Sequence, residues 1–144
     1  MLQEHTHRQF DTDIDVLRSA VTMMGGLVER QLVRAIDAVR LRDLDLVALV
    51  LADEQKVNQL QVESDLRCNQ TIARRQPIAI DLREIIAVIH TINDLERIGD
   101  EAKKIALKAR VLHLVESPIA MDRIEQMSLL VRGMLDSAID AFVR

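Results

Sequence analysis

From Phe10 onward, apolar residues return every three or four positions through Ile14, Leu17, Val21, Met24, Val28, Leu32, Ala35 and Val39, with no proline to stop them. That spacing puts them on one stripe of a single helix about 45 Å long. A stripe of this length is stable only when other helices cover it from end to end. The chain is poorly supplied with turns, having four Gly and two Pro in 144 residues, so its remaining elements must also be few and long. Hydrophobic residues make up 49% of it, yet there are two Phe and no Trp or Tyr. Leu, Ile, Val, Ala and Met suit helix-on-helix packing better than a β-sandwich.

The breaks between helices follow from a few residues. The first helix is expected to end near Arg42, and Asp43 has the side chain to cap a second running from Leu44 to about Arg74. Pro77 interrupts that run. Asp81 and Glu84 then have capping-box spacing for a third helix to about Arg110, and Ser117-Pro118 reads as the start of a fourth. The expected organisation is a flexible polar segment over residues 1–8 and an up-down-up three-helix bundle over residues 9–112. The first helix of a second, truncated repeat follows over residues 117–144. The repeat itself is visible: Ala35-Ile36-Asp37-Ala38 returns as Ala138-Ile139-Asp140-Ala141, an offset of 103 residues. At that offset Met24, Leu27, Val28 and Leu32 match Met127, Leu130, Val131 and Leu135.

Several classes of function are excluded early. A net charge of −4 gives no basic surface for nucleic acid. No uncharged apolar run reaches the roughly 18 residues of a membrane span, and residues 1–15 lack the apolar core of a signal peptide. Cys68 stands alone, so no intrachain disulfide forms, and a reducing, cytoplasmic compartment is expected. No P-loop, GxGxxG or Ser/His/Asp set is present. A ferritin-like di-iron site needs two helical Glu-x-x-His motifs, and the sole such spacing is Glu4 to His7, outside the predicted bundle. His90 reads as a core histidine on the apolar edge rather than a phosphotransfer group. Gly25-Gly26 costs the first helix about 2 kcal/mol in propensity, which points to a kink or a close helix crossing.

Chemistry is concentrated where carboxylates turn toward the apolar faces. On the third helix, Ile85, Val88, Ile89, Ile92, Leu95, Gly99, Ala102 and Ala106 form the apolar arc, with Glu96 inside it and Asp100 at its edge. On the second, Leu44, Val47, Val50, Leu51, Val57, Val62 and Cys68 form the arc, and Glu54, Asn58, Gln61 and Asp65 run down its middle; Asp53 falls outside. Gln31 is the polar residue in the middle of the first helix's arc. Antiparallel pairing across the two turns sets Glu54 level with Asp100, Asn58 with Glu96, and Gln31 with this same layer. Three acids without a basic residue inside the arcs call for compensation. A hard cation with oxygen ligands would supply it. A hydrogen-bonded polar layer that fixes register would do so as well, with Asp100 reaching out to Lys103 or Lys104.

Glu54-Gln-Lys-Val-Asn58, the Pro77-Ile-Ala-Ile-Asp81-Leu-Arg83 turn and Asp94-Leu-Glu-Arg-Ile-Gly-Asp100 together resemble the PhoU family of bacterial phosphate-uptake regulators. The resemblance extends from about Phe10 to Arg144. It implies tandem three-helix bundles and a cytoplasmic, non-enzymatic negative regulator. Such a regulator acts between the ATPase subunit of a phosphate ABC transporter and a phosphate-sensing histidine kinase. It also implies a metal (iron, manganese or magnesium) held through paired E(D)xxxD motifs. Glu96 and Asp100 match one motif; the other falls on Glu54 and Asn58, where Asn replaces an acid and lowers the ligand charge. Homo-oligomerisation is expected through the apolar face of the last helix. The competing reading is a metal-free helical dimerisation or scaffold module.

Overall fold

The computed structural model describes the backbone of residues 2–116 and 118–144, and side chains over residues 9–116 and 118–144. Four α-helices follow one another: α1 over Leu2–Leu41, α2 over Leu44–Arg75, α3 over Ala79–His113 and α4 over Met121–Val143. The first three pack side by side, up-down-up, and α4 lies along α1, away from α2 and α3. None of the described helices is long and apolar enough to cross a membrane. The all-α bundle is therefore as the periodicity predicted.

The core positions obey a 3.5-residue repeat. In α1 they are Phe10, Ile14, Leu17, Val21, Met24, Val28, Gln31, Ala35 and Ala38. In α2 they are Val47, Val50, Glu54, Val57, Ser64, Cys68 and Thr71, and in α3 Ile85, Val88, Ile92, Leu95, Gly99, Ala102, Ala106 and Ala109. This is the coiled-coil seam, in which every third and fourth residue faces the partner helices. It corrects the α2 arc: Val62 is 66% exposed and Leu44 43%, while small polar Ser64 and Thr71 are buried instead. A wheel at 100° per residue drifts by about 20° per heptad against a 3.5 repeat, enough to misplace residues on a helix of this length.

Helix ends are set locally. Asp43 caps α2 as expected, its Oδ1 accepting from Asp45 N at 2.8 Å and Leu46 N at 3.3 Å. At the other end Gln76 takes a left-handed conformation before Pro77 and its N–H returns to the Ile72 carbonyl. The capping box expected at Asp81 and Glu84 is not used. The third helix starts earlier, after Ile78, without a side-chain cap; Asp81 lies in its first turn, and Glu84 pairs with Arg18 of α1. The first helix starts at Leu2 rather than near Phe10. Once a helix is nucleated, each further residue adds a hydrogen bond, and Gln3, Glu4, Arg8 and Gln9 are adequate helix formers. The Ser117 cap lies outside the described residues, and α4 begins at Met121.

Gly25 and Gly26 sit inside an unbroken α1, and the close-crossing expectation holds for the first of them. A Cβ on Gly25 would stand 2.9 Å from Ile139 Cδ1 of α4, whereas one on Gly26 would meet nothing within 4 Å.

Candidate functional site

The polar layer lies where the core changes character. One side of it holds larger side chains, including Phe10, Leu17, Met24, Ile85, Ile92 and Leu95. The other holds Ala35, Ala38, Ala102, Ala106 and Ala109 with Val47 and Val50. Between them the seam positions of the three helices are occupied by Gln31, Glu54 and Gly99. Gln31 Nε2 donates to Glu54 Oε2 at 2.9 Å, and both side chains are buried. Gly99 admits them: a Cβ there would lie 2.9 Å from Gln31 Oε1 and 3.5 Å from Glu54 Oε2. Gln31 Oε1 is itself buried without a hydrogen-bond partner, so any side chain at position 99 would press on a group with nowhere to turn.

From this layer a chain of charges runs to the surface. Lys103 Nζ stands 3.5 Å from Glu54 Oε1 and 3.3 Å from Asp100 Oδ1. Lys104 Nζ lies 2.8 Å from Asp100 Oδ2 and 2.9 Å from Glu101. Hydrogen bonds from Lys104, and then from Lys103, hold the Asp100 carboxyl below the usual carboxylate range. The same contacts, Asp100 foremost in each case, raise both lysines. The expectation of three acids without a basic partner is therefore corrected. Lys103 leans back one turn and closes the gap, and Asp100 turns outward to both lysines, as the polar-layer reading required.

Of the four candidate ligands, Glu54 and Asp100 join one network through Lys103. Glu96 is half-buried and Asn58 exposed, and neither enters that network. Among the described residues, no group of three or more His, Cys, Asp or Glu is placed to hold a metal ion. The donors do not fit a cation in this arrangement, because Lys103 and Lys104 already neutralise Glu54 and Asp100 while Glu96 and Asn58 stand apart from them. Lower down the α2–α3 pair, Gln61 Nε2 donates to Asn93 Oδ1 at 3.0 Å, in the antiparallel register expected from the Pro77 turn. His90 is exposed, which corrects its assignment to the core. Its neighbours Val88 and Ile92 are the seam positions, and two residues from a seam the side chain points out.

The most buried acid was missed. Asp53 is 1% exposed and lies between two arginines of α1. Arg30 holds it by two hydrogen bonds, Nη2 to Oδ1 at 2.8 Å and Nε to Oδ2 at 3.2 Å; Arg34 Nη1 meets Oδ2 at 2.5 Å. Burial alone would raise the Asp53 carboxyl, but Arg30 and then Arg34 outweigh it and lower the pKa. The signal was present in the sequence: Arg30 and Arg34 are one turn apart and level with Asp53 across the Asp43 turn. Cys68 is buried in the seam, and desolvation first, then the nearby Asp65, pushes its thiol up to about 11. At neutral pH such a thiol is not a nucleophile.

The PhoU domain family matches residues 21–109, the stretch containing the whole polar layer. The chain belongs to the PhoU family. It is 40% identical over 143 residues to the phosphate-specific transport system accessory protein PhoU of Edwardsiella tarda, covering 99% of this chain and 59% of that one. Against the protein of the same name from Escherichia coli K12 the identity is 37%, with the same coverage. The crystal structure of PhoU from Pseudomonas aeruginosa superposes with a TM-score of 0.89 at 39% identity, covering 94% of this chain and 65% of that one. The chain thus spans about three-fifths of the length of these relatives. The relatives it matches are themselves named as accessory proteins of phosphate-specific transport.

Proposed function

We propose that this chain serves as a negative regulator of phosphate uptake and phosphate-starvation signalling. It would act by binding between the ATPase subunit of a phosphate ABC transporter and a sensor histidine kinase on the cytoplasmic side. The observation that carries this reading is the match along 99% of the chain to proteins named as accessory to phosphate-specific transport. The polar layer supports binding rather than turnover, since Glu54 and Asp100 are neutralised by lysines, and the chain's one thiol, elsewhere in the seam, is held protonated. The test is a strain lacking the gene and any paralogue. Phosphate-starvation genes should be derepressed when phosphate is plentiful; normal repression in that strain would overturn the assignment. A chain with substitutions at Lys103 and Lys104 should restore repression only in part at equal abundance, the control that separates lost binding from lost folding.

Two finer points belong to the same proposal. Residues 9–112 form one complete repeat and residues 117–144 open a second; the exposed apolar face of α4 supports this and gives the surface through which the chain would self-associate. Light scattering should show a concentration-dependent rise in mass that is lost when residues 118–144 are removed. Metal binding at Glu54, Asn58, Glu96 and Asp100 keeps the support of the motif spacing alone. It requires Lys103 and Lys104 to withdraw. Titration with iron, manganese, magnesium and zinc should therefore show stronger uptake after Lys103→Met than before it, and no uptake in either form would leave the polar layer as purely structural.

A further inference from the structure

The offset that relates α1 to α4 in sequence also organises their contact in space. Positions 29 and 132 are equivalent in the two repeats, and they meet: Arg132 Nη2 donates to Glu29 Oε1 at 3.1 Å across a separation of 103 residues. When equivalent positions of two helices touch, a local pseudo-two-fold axis passes between them. One flanking pair is placed as that axis requires. Gly25 lies against Ile139, and the same offset converts this pair into Ser128 and Ile36, which line one groove of the same interface. A symmetric crossing of this kind would accept two like helices as readily as two different ones, so something must decide which pair forms.

The decision is made on the axis, where the repeats carry opposite charges. Two α1 helices from separate copies, crossing in this geometry, would set Glu29 against Glu29. Two α4 helices would set Arg132 against Arg132. Repulsion between like charges at the centre of a symmetric contact discriminates against both. Arg132 depends on its partner, because its Nε is buried without a hydrogen-bond acceptor. We propose that Glu29 and Arg132 form a charge lock that pairs a first-repeat helix with a second-repeat helix and rejects a second copy of the same helix. The lock concerns assembly and is independent of the phosphate role.

The test uses four forms of the 144-residue chain: unaltered, Glu29→Arg, Arg132→Glu, and the two together. Hydrogen exchange of the amides over residues 121–143 reports how firmly α4 is docked, and protection of α2 and α3 reports that the bundle itself stays folded. Each single reversal should lower α4 protection by about two- to fivefold, the range for a half-exposed ion pair. The double reversal should restore it to within about twofold. Mixing the two single variants should give more dimer by light scattering than either gives alone, since each chain's α1 then matches the other's α4. If the double reversal is no better protected than the singles, the pair is not a lock. If the mixture shows the same dimer fraction as the separate variants, it does not choose partners. Either result overturns the proposal.

Discussion

The helices α1 and α4 carry the same pattern and meet opposite fates. Met24, Val28 and Ala35 of α1 are fully buried, while their equivalents Met127 and Val131 in α4 are 64% and 44% exposed, and Ala138 is exposed as well. Even Gln31, completely buried at the polar layer, corresponds to Met134, 72% exposed. Amphipathic pattern therefore gives the helix but not its burial. Burial is given by partners, and α1 has α2 and α3 along this stripe where α4, among the described residues, has none. At one further pair the two helices agree: Leu32 and Leu135 are both buried, Leu32 in the alanine-rich part of the core and Leu135 in the part with the larger side chains.

The largest break in this comparison should come from truncating matched residues. Met24→Ala should destabilise the chain by about 2–5 kcal/mol through a cavity in the seam. Met127→Ala should change stability by no more than about 0.5 kcal/mol. Chemical denaturation of the two variants measures both, and equal losses would mean that the α4 stripe is covered in solution.

Next in size is the α1–α2 clamp, which α4 has no partner to reproduce. Asp53→Asn should cost about 2 kcal/mol, the range for hydrogen bonds to charged groups; Arg30 and Arg34 can turn to solvent, so the loss stays below that of a buried orphan charge. The sign with pH follows from the lowered Asp53 pKa. The folded form holds its proton less tightly than the unfolded chain does. The stabilisation is thus present above the unfolded value of about 3.9 and is lost as pH falls through the lower folded value. Denaturation midpoints of unaltered and Asp53→Asn chains should converge as the pH drops below about 4. A constant gap down to strongly acid pH would show that the contribution is not ionic.

The smallest effect concerns the two glycines. Gly26→Ala should stabilise the chain by about 1 kcal/mol, since helix propensity rises and its Cβ meets nothing. Gly25→Ala should show no such gain, its Cβ being driven against Ile139. Thermal melts separate them, and an equal rise for both would show that α4 is not held closely against α1 there.

Much of this was legible residue by residue. The Asp43 cap, the Pro77 break and the antiparallel register were readable because each depends on nearest neighbours or on counting back from a turn. The register brought Gln31 to Glu54 and Glu54 to the level of Asp100. What failed were questions of angle. Asp53 was placed outside the arc and proved the most buried acid, and Val62 and His90 were placed inside and proved exposed. For Asp53 and Val62 a few tens of degrees of helix phase separate these outcomes, and supercoiling supplies that much over several heptads; His90, two residues from both Val88 and Ile92, lies opposite the seam on any wheel. Lysine reach was the other unknown: Lys103, one turn beyond Gly99, uses its four carbons to bring a charge back into the layer.

By itself the sequence determined four long helices, their order, their turns and the presence of a polar layer, because propensity, capping and the spacing of apolar residues act over a few positions along the chain. Only the tertiary structure decided which acids are buried and which cations answer them. It also decided that α4 shows solvent the stripe that α1 conceals. Each of those depends on the rotation of one helix against another and on which surfaces have a neighbour, and neither quantity is written in any single segment.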